Sequence, residues 1–191
     1  LMLNGSPHPK GCTFTALSTV AAQLEKNGVE TQMLQLGTKP IQCCIGCGKC
    51  KDTGHCVFNA DHVNEAIDLL READGFVVGS PVYYAGPNGG VCSFLDRMFY
   101  GKSLHYAFKP AAAVVSCRRG GASASFDRLN KYFTIARMPV VSSQYWNAVH
   151  GNTPEQVMQD KEGLQIMRTL GDNMAWLLKC IAAGKAAGDR K

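Results

Sequence analysis

The stretch LMLNGSPHPKGCT, residues 1–13, decides the fold of this chain. Its first three residues are apolar and suit a β-strand, residues 4–11 are rich in turn formers, and a helical pattern begins at Thr13. The order is therefore strand, loop, helix. Because the first N–H groups of a helix have no partner within the helix, such a loop can hold an anion, most often a phosphate.

Two interpretations of this loop remain open. Side chains of Ser6, His8, Lys10 and Thr13 could add donors and charge to a phosphate site, or the polar residues could only cap the helix. The loop does not match GxGxxG, and Cys12 stands where the motif GxxxxGK[ST] requires lysine. The sequence therefore argues against the two commonest nucleotide-binding motifs.

Apolar periodicity predicts an alternation of strands and helices along the chain. The predicted strands are residues 1–3, 29–36, 73–80, 110–117 and 138–143, and the predicted helices are 13–25, 61–70, 91–100, 126–136 and 154–183. Asp61 and Thr153 are the predicted N-caps of the second and last helices. Because the strands are continuously apolar, we predict an α/β fold with a doubly wound, five-stranded parallel sheet and helices on both faces.

Three informative loops each follow a predicted strand: residues 4–13, 80–90 and 116–123. The carboxyl ends of parallel strands meet at one edge of the sheet, and ligands bind there, near the switch point of the strand order. We therefore expect the three loops to converge on one ligand.

Composition narrows the functional classes. The chain has 191 residues, 46% of them hydrophobic and 18% charged, which suits one domain over residues 1–191. The net charge of +5 comes from scattered basic residues, so we expect no nucleic-acid partner. We also expect no membrane partner, because no apolar run reaches about 18 residues. Nine cysteines without a secretion signal favour a reducing, cytoplasmic setting.

The chemistry of the three loops suggests a ligand with a phosphate at one end and a planar ring system at the other. The first loop could hold the phosphate, the second offers rings and bare backbone, and the third offers glycines and a guanidinium. FMN is such a molecule, with Gly120 and Gly121 allowing close backbone approach and Arg119 supplying charge. Alternatively, Tyr83 and Tyr84 only pack their loop against the third predicted helix.

Three motifs carry a resemblance to a known family: GSPHPKGCT, GSPVYYAGPNG followed by FLDR, and SCRRGGAS. Together they resemble the NADPH-dependent FMN reductase branch of the flavodoxin-like fold, and most closely its iron–sulfur flavoprotein type. The resemblance spans residues 1–178. It implies homodimers or homotetramers, and it departs from the family pattern at His8, where arginine is common, and at Cys12, where asparagine is common.

The resemblance also implies which residues bind the cofactor. FMN phosphate would be held by Ser6, His8, Cys12 and Thr13. The flavin ring would be held by two segments, whose residues are Pro81, Val82, Tyr83 and Tyr84, and Ser116, Cys117, Arg119, Gly120 and Gly121. No catalytic acid–base residue is predicted, because hydride transfer to a flavin does not require one.

A cysteine-rich excursion occupies residues 40–58. Cys44, Cys47, Cys50 and Cys56 follow the spacing CxxCxxCxxxxxC, and Cys43 is additional. Such compact spacing suits a [4Fe–4S] cluster and resembles that of iron–sulfur flavoproteins. Four thiolates could also bind zinc, or the loop could keep reduced thiols without a metal.

Several other residues receive a structural interpretation. Cys92 and Cys180 are expected to pack in helices, and Asp96 and Arg97 to pair or cap locally. Trp146 and His150 could cover a flavin or form a subunit contact.

Three functions follow from these features. The leading hypothesis is an FMN-dependent oxidoreductase that passes electrons from NAD(P)H to a small-molecule acceptor: a quinone, an azo or nitro compound, or free flavin. The second is an electron carrier that takes electrons from ferredoxin through a [4Fe–4S] cluster to FMN. The third is a flavin-free binding domain on the same scaffold.

Overall fold

A parallel sheet forms the centre of the computed structural model, which describes residues 1–101 and 103–189. The strands are β1 (Met2–Asn4), β2 (Met33–Gln35), β3 (Phe76–Tyr83), β4 (Gly86–Pro87), β5 (Ala111–Cys117) and β6 (Ala148–His150). The order across the sheet is β2-β1-β3-β5-β6, and each neighbouring pair is parallel. Only β4 departs from this pattern among the described residues, because it turns back antiparallel against the end of β3. The predicted five-stranded parallel sheet is confirmed.

Helices cover both faces of the sheet. They are α1 (Cys12–Lys26), α2 (Cys50–Thr53), α3 (Val63–Glu72), α4 (Gly89–Tyr100), α5 (Ala122–Ile135), α6 (Pro154–Gln159) and α7 (Lys161–Ala186), with a 3₁₀ turn at Ser103–Tyr106. Alternate residues of β5 explain the two layers: Ala113 and Val115 face α3, α4 and α5, whereas Ala112 and Val114 face α1 and α7. The central strands β1, β3 and β5 are buried on both sides over most of their length, as their continuously apolar sequence predicts.

The predicted fifth strand at residues 138–143 is wrong. Only Val140 in this segment forms a bridge, to Ala111, and the ladder resumes at β6, where Ala148 pairs with Val115. Met138 and Val141 are apolar because they pack into the core beside the sheet. The residues between Val140 and Ala148 leave the ladder. The strand was predicted too early because apolar residues elsewhere in this fold are both buried and paired, whereas here they are only buried.

Other boundaries also differ from the prediction. The second strand is shorter than residues 29–36, and the last helix is broken in two where Asp160 ends α6 and caps α7 through Gly163 N. His62 rather than Asp61 occupies the N-cap of α3. Thr153 caps α6 as predicted, accepting a hydrogen bond from Gln156 N. Cys180 is exposed rather than packed.

Candidate functional site

The first loop, residues 5–11, is held from below by polar side chains of the sheet. Ser6 is buried; its N–H donates to Asn4 Oδ1 and its Oγ accepts from the N–H of His8 at 3.1 Å. Gln35 Nε2 donates to the Ser6 carbonyl at 2.6 Å, and Gln35 Oε1 accepts from Asn4 Nδ2 at 2.5 Å. These bonds fix the loop above the carboxyl end of β1.

Helix α1 begins directly after this loop without a side-chain cap. Gly11 is its N-cap, and within the described chain no side chain accepts from the first-turn N–H groups. These groups, beginning at Cys12 and Thr13, and the positive end of the helix dipole are therefore available to an anion. The structure therefore supports the phosphate interpretation, because free N–H donors are present. It does not support the capping interpretation, because no polar side chain of the loop caps α1.

The second loop, residues 81–90, contains a tight hairpin between β3 and β4. Tyr84 and Ala85 both have positive φ values, 49° and 59°, which are unfavourable for residues with a side chain. The ring of Tyr84 is fully exposed and that of Tyr83 is half-exposed. Such strain persists only where the surroundings impose it, and it is concentrated at functional sites.

Asn88 links this second loop to the first. Its side chain donates to the Gly5 carbonyl at 3.1 Å and accepts from Gly90 N, so that it also caps α4. Its N–H donates to the buried Ser80 hydroxyl at 3.0 Å. We did not predict this role; the signal was an asparagine immediately before two glycines at the start of a helix.

The third loop, residues 116–121, contacts both of the others. Ser116 Oγ lies 2.8 Å from Thr13 Oγ1, and this hydroxyl pair joins the end of β5 to the first turn of α1. Gly121 has a φ of 86°, and a Cβ added to it would lie 2.6 Å from Ala85 Cα. The structure therefore brings the three loops together at one edge of the sheet.

The predicted cofactor residues differ in what they present at this edge. Pro81 pairs in register with Ser116, and Val82 packs against the core below the hairpin. His8 and Arg119 are exposed, and their side chains form no hydrogen bond or ion pair with any described residue. Gly120 is exposed, and a Cβ there would meet no described atom within 4 Å.

Cys12 and Cys117 present backbone rather than thiol groups. The Cys12 Sγ lies 3.8 Å from the Gly151 carbonyl, and the Cys117 thiol is buried. Gly151 N donates to the Cys117 carbonyl at 3.1 Å, which ties the end of β6 to the same edge. Burial raises the pKa of both thiols, so at neutral pH they are neutral and inert.

The cysteine excursion forms a second site. Cys44, Cys47, Cys50 and Cys56 line one pocket, whose apolar wall is completed by Ile45, Val57, Phe58 and Tyr100. Burial raises the pKa of the Cys50 thiol, and the nearby thiols of the other three raise it further. Within residues 1–101 and 103–189, no group of three His, Cys, Asp or Glu side chains is placed to bind a single metal ion.

Arg97 lines this pocket, and the expectation that it pairs or caps locally is wrong. Its side chain is completely buried and forms an ion pair with Asp61, 36 residues earlier. Asp96 instead accepts hydrogen bonds from Tyr132 and Arg128 of α5. The local motif FLDR thus separates two adjacent charges onto two different sides of α4.

The sequence model of the family described as NADPH-dependent FMN reductase matches residues 1–153. An iron–sulfur flavoprotein of Methanocaldococcus jannaschii is 32% identical over 187 residues, covering 94% of this chain and 96% of that protein. An iron–sulfur flavoprotein of Methanosarcina thermophila is 25% identical over 185 residues, covering 94% of each chain.

The solved structures confirm the flavodoxin-like fold. A WrbA-like flavodoxin from Agrobacterium tumefaciens superposes with a TM-score of 0.65 at 15% identity, covering 94% of this chain and 96% of that one. None of the helices described for this chain is both long and apolar enough to cross a membrane. From the family match and the full-length relatives, this chain belongs to the NADPH-dependent FMN reductase family.

Proposed function

We propose that the edge formed by the three loops binds FMN. The observation that carries this proposal is the meeting of an uncapped helix start, at Gly11, with the open backbone of Gly120 and the exposed ring of Tyr84. The free N–H groups of α1 suit a phosphate, and the other two features suit a planar ring. Donors and bare backbone are therefore present for both ends of the cofactor.

The protein's residues would bind and orient the cofactor. Ser6 and Thr13 would donate hydroxyls beside the N–H groups of α1, with His8 and Lys10 contributing charge from the exposed side of the loop. Pro81–Tyr84 and Ser116–Gly121 would hold the ring from two sides, with Arg119 free to approach it because it has no described partner. These residues would hold FMN, which would supply the transfer of a hydride equivalent from a reduced nicotinamide and of two electrons to an acceptor.

The reaction supported best is the transfer of electrons from NAD(P)H through FMN to a small-molecule acceptor: a quinone, an azo or nitro compound, or free flavin. The family match to NADPH-dependent FMN reductases supports the electron donor. The exposure of the Tyr83 and Tyr84 side chains supports a small-molecule acceptor, because they lie open to solvent beside the proposed flavin-ring site.

Anaerobic titration tests this proposal. The purified protein is saturated with FMN, freed of excess cofactor, and mixed with NADPH or NADH while the flavin absorbance is followed. We expect bleaching by the nicotinamide and recovery when a quinone is added. Ser6→Ala should weaken FMN binding about tenfold by removing a hydroxyl from the loop, whereas Ser18→Ala in the middle of α1 should not. A protein that retains no FMN would overturn the proposal.

A second function is favoured by the cysteine pocket. We propose that Cys44, Cys47, Cys50 and Cys56 hold a [4Fe–4S] cluster that accepts electrons from ferredoxin and relays them to FMN. All four thiols line one pocket, and the compact spacing CxxCxxC suits a [4Fe–4S] cluster. The iron–sulfur flavoproteins that this chain resembles support the same assignment.

Metal analysis after anaerobic purification distinguishes the two functions. About four irons and four sulfides per chain would support the relay; zinc alone, or a metal-free protein that reconstitution with iron and sulfide leaves empty, would leave only the reductase. Reconstitution of Cys47→Ser should fail, whereas that of Cys43→Ser should succeed, because Cys43 lies outside the pocket lining.

We also propose that the chain forms a homodimer or homotetramer. Tyr84, Tyr145 and Trp146 are exposed aromatic residues, and the rings of the last two are in contact, tilted by 59° with centroids 4.7 Å apart. Exposed aromatic groups of this kind are typical of protein interfaces. Sedimentation velocity of the FMN-loaded protein tests this; a monomer at all concentrations would contradict it.

A further inference from the structure

We propose that Arg97 is a positioning residue of the cysteine site, which holds the Cys56 sulfur in place and offsets the negative charge of the thiolates. This inference rests on the proposed cluster at Cys44, Cys47, Cys50 and Cys56. It concerns a residue of α4 that lies outside the cysteine excursion, and whose neighbours in the sequence give no sign of such a role.

The hydrogen bonds of Arg97 converge on the excursion. Its Nε donates to Cys56 Sγ at 3.1 Å, Nη1 donates to the Gln42 carbonyl at 3.2 Å, and Nη2 donates to the Phe58 carbonyl at 2.9 Å. Both Nη atoms also bind the Asp61 carboxylate. One planar group therefore fixes four positions of the loop between residues 42 and 61.

The bond to sulfur distinguishes this arrangement from an ordinary buried ion pair. A neutral thiol is a weak acceptor, whereas a thiolate is a strong one, and a guanidinium cannot give up its proton. Asp61 is engaged by the two Nη atoms, so it leaves Nε for the sulfur. A buried, permanent donor aimed at Cys56 is best used when that sulfur carries negative charge, as it does when it ligates iron.

Gly101, which follows the last residue of α4 and lies four positions after Arg97, adds a second contact with the site. A Cβ at this position would lie 2.9 Å from Cys50 Cβ and 3.1 Å from Cys50 Sγ. The end of α4 is therefore free of side-chain bulk where Cys50 approaches it. Arg97 within α4 contacts Cys56, and Gly101 just after α4 lies beside Cys50. Both positions therefore fit the cysteine loop against this end of the helix.

Two roles for Arg97 predict different outcomes. If Arg97 only holds the loop together, removing either Arg97 or Asp61 should loosen the site and shift the reduction potential in the same direction. If its charge acts on the sulfur, Arg97→Met should make the potential more negative, whereas Asp61→Asn should make it more positive, because the compensating carboxylate is gone.

The experiment reconstitutes the cluster anaerobically in the full chain and measures its reduction potential and its loss of iron to a chelator. We expect Arg97→Met to lower iron affinity about 10- to 100-fold, and Arg97→Lys to restore part of the potential by retaining the charge. Arg71→Met is the matched control, because Arg71 binds the Gly54 carbonyl at 2.8 Å but no cysteine sulfur. It should leave the potential unchanged.

Each result bears on the proposal. Shifts of opposite sign in Arg97 and Asp61 variants support it; shifts of the same sign, or none, overturn it. Should Arg97→Met fail to fold because it leaves Asp61 buried and unpaired, Asp61→Asn and Arg97→Lys still supply the comparison. A wild-type protein that binds no cluster overturns the proposed relay itself, whereas a loaded wild type with unaltered variants overturns only the role of Arg97.

Discussion

Gly121 is the residue at which the third loop contacts the second. Its φ of 86° and its contact with Ala85 leave no room for a side chain. We expect Gly121→Ala to destabilise the protein by about 2–4 kcal/mol, from left-handed strain and overpacking, and to weaken FMN binding. Urea unfolding and fluorescence titration with FMN measure the two effects.

Gly120→Ala is the matched control for this substitution. No described atom lies within 4 Å of a Cβ at Gly120, so its free energy of unfolding should change by less than about 1 kcal/mol. If the flavin ring approaches this backbone, FMN affinity should nevertheless fall. Equal loss of stability in both variants would contradict the assigned packing of Gly121.

Tyr84 carries a cost that an asparagine would avoid. It has a φ of 49° and a fully exposed ring, so Tyr84→Asn relieves strain without losing contacts within the chain. We expect a gain in stability of about 0.5–1 kcal/mol, together with weaker FMN binding. Thermal unfolding and FMN titration test this. Tyr145→Asn, at an exposed tyrosine without positive φ, should give no such gain.

The convergence of the three loops could be predicted because each was expected to follow a strand of one parallel sheet. In the structure Thr13 of the first loop contacts Ser116 of the third, and Gly121 of the third contacts Ala85 of the second. The partner of Arg97 could not, because Asp61 is 36 residues away and no local pattern relates the two. A buried ion pair between the segment just before α3 and the distant helix α4 is visible only once the chain has folded.

At the level of elements, one hydroxyl pair joins α1 to β5. Thr13 and Ser116 are both buried, so replacing either one leaves the other hydroxyl without its partner. We expect Thr13→Val and Ser116→Ala to cost about 1–3 kcal/mol each, and the double variant to cost less than their sum by about 1 kcal/mol. Urea unfolding of the FMN-free proteins completes this cycle; strictly additive costs would show that the bond contributes no coupling.

The last strand of the sheet, β6, was the element whose position the sequence predicted least well. The Pro139 carbonyl and the Val141 N–H both bond to Ala111, and the chain then leaves the ladder until Asn147, whose carbonyl accepts from Val115 N at 2.9 Å. Apolar residues before this detour serve the core rather than the ladder. Sequence patterning reports burial, and in this segment burial and pairing separate.

For the whole molecule, a buried tyrosine in the core, Tyr106, makes the free energy of unfolding depend on pH in the alkaline range. Tyr106 lies in an aromatic cluster, 5.3 Å from Phe99 between ring centroids, and burial raises the pKa of its hydroxyl to about 12. The unfolded chain loses this proton near pH 10 and the folded chain does not, so unfolding is favoured as pH rises between these values. We expect a loss of roughly 2–3 kcal/mol from this group by pH 12.

Tyr106→Phe isolates this effect. Its only described hydrogen bond, to the Met98 carbonyl, is long at 3.5 Å, so the variant should be about as stable as wild type at pH 8. Between pH 10 and 12 it should lose less stability than wild type. Tyr145→Phe, at an exposed ring, serves as the control. Parallel pH profiles for Tyr106→Phe and wild type would contradict the prediction.

The architecture as a whole was the most predictable part. Strands buried on both faces read as continuous apolar runs, and their alternation with helices leaves few topologies open. The packing of Ala112 and Ala113 on opposite helical layers follows from the same alternation.

The two outermost strands, β2 and β6, are only three residues long each. A lateral border of a sheet presents unsatisfied N–H and C=O groups that can template the addition of a foreign strand. Border strands this short offer almost no length for such an addition, so we expect the folded chain to resist fibril-like self-association.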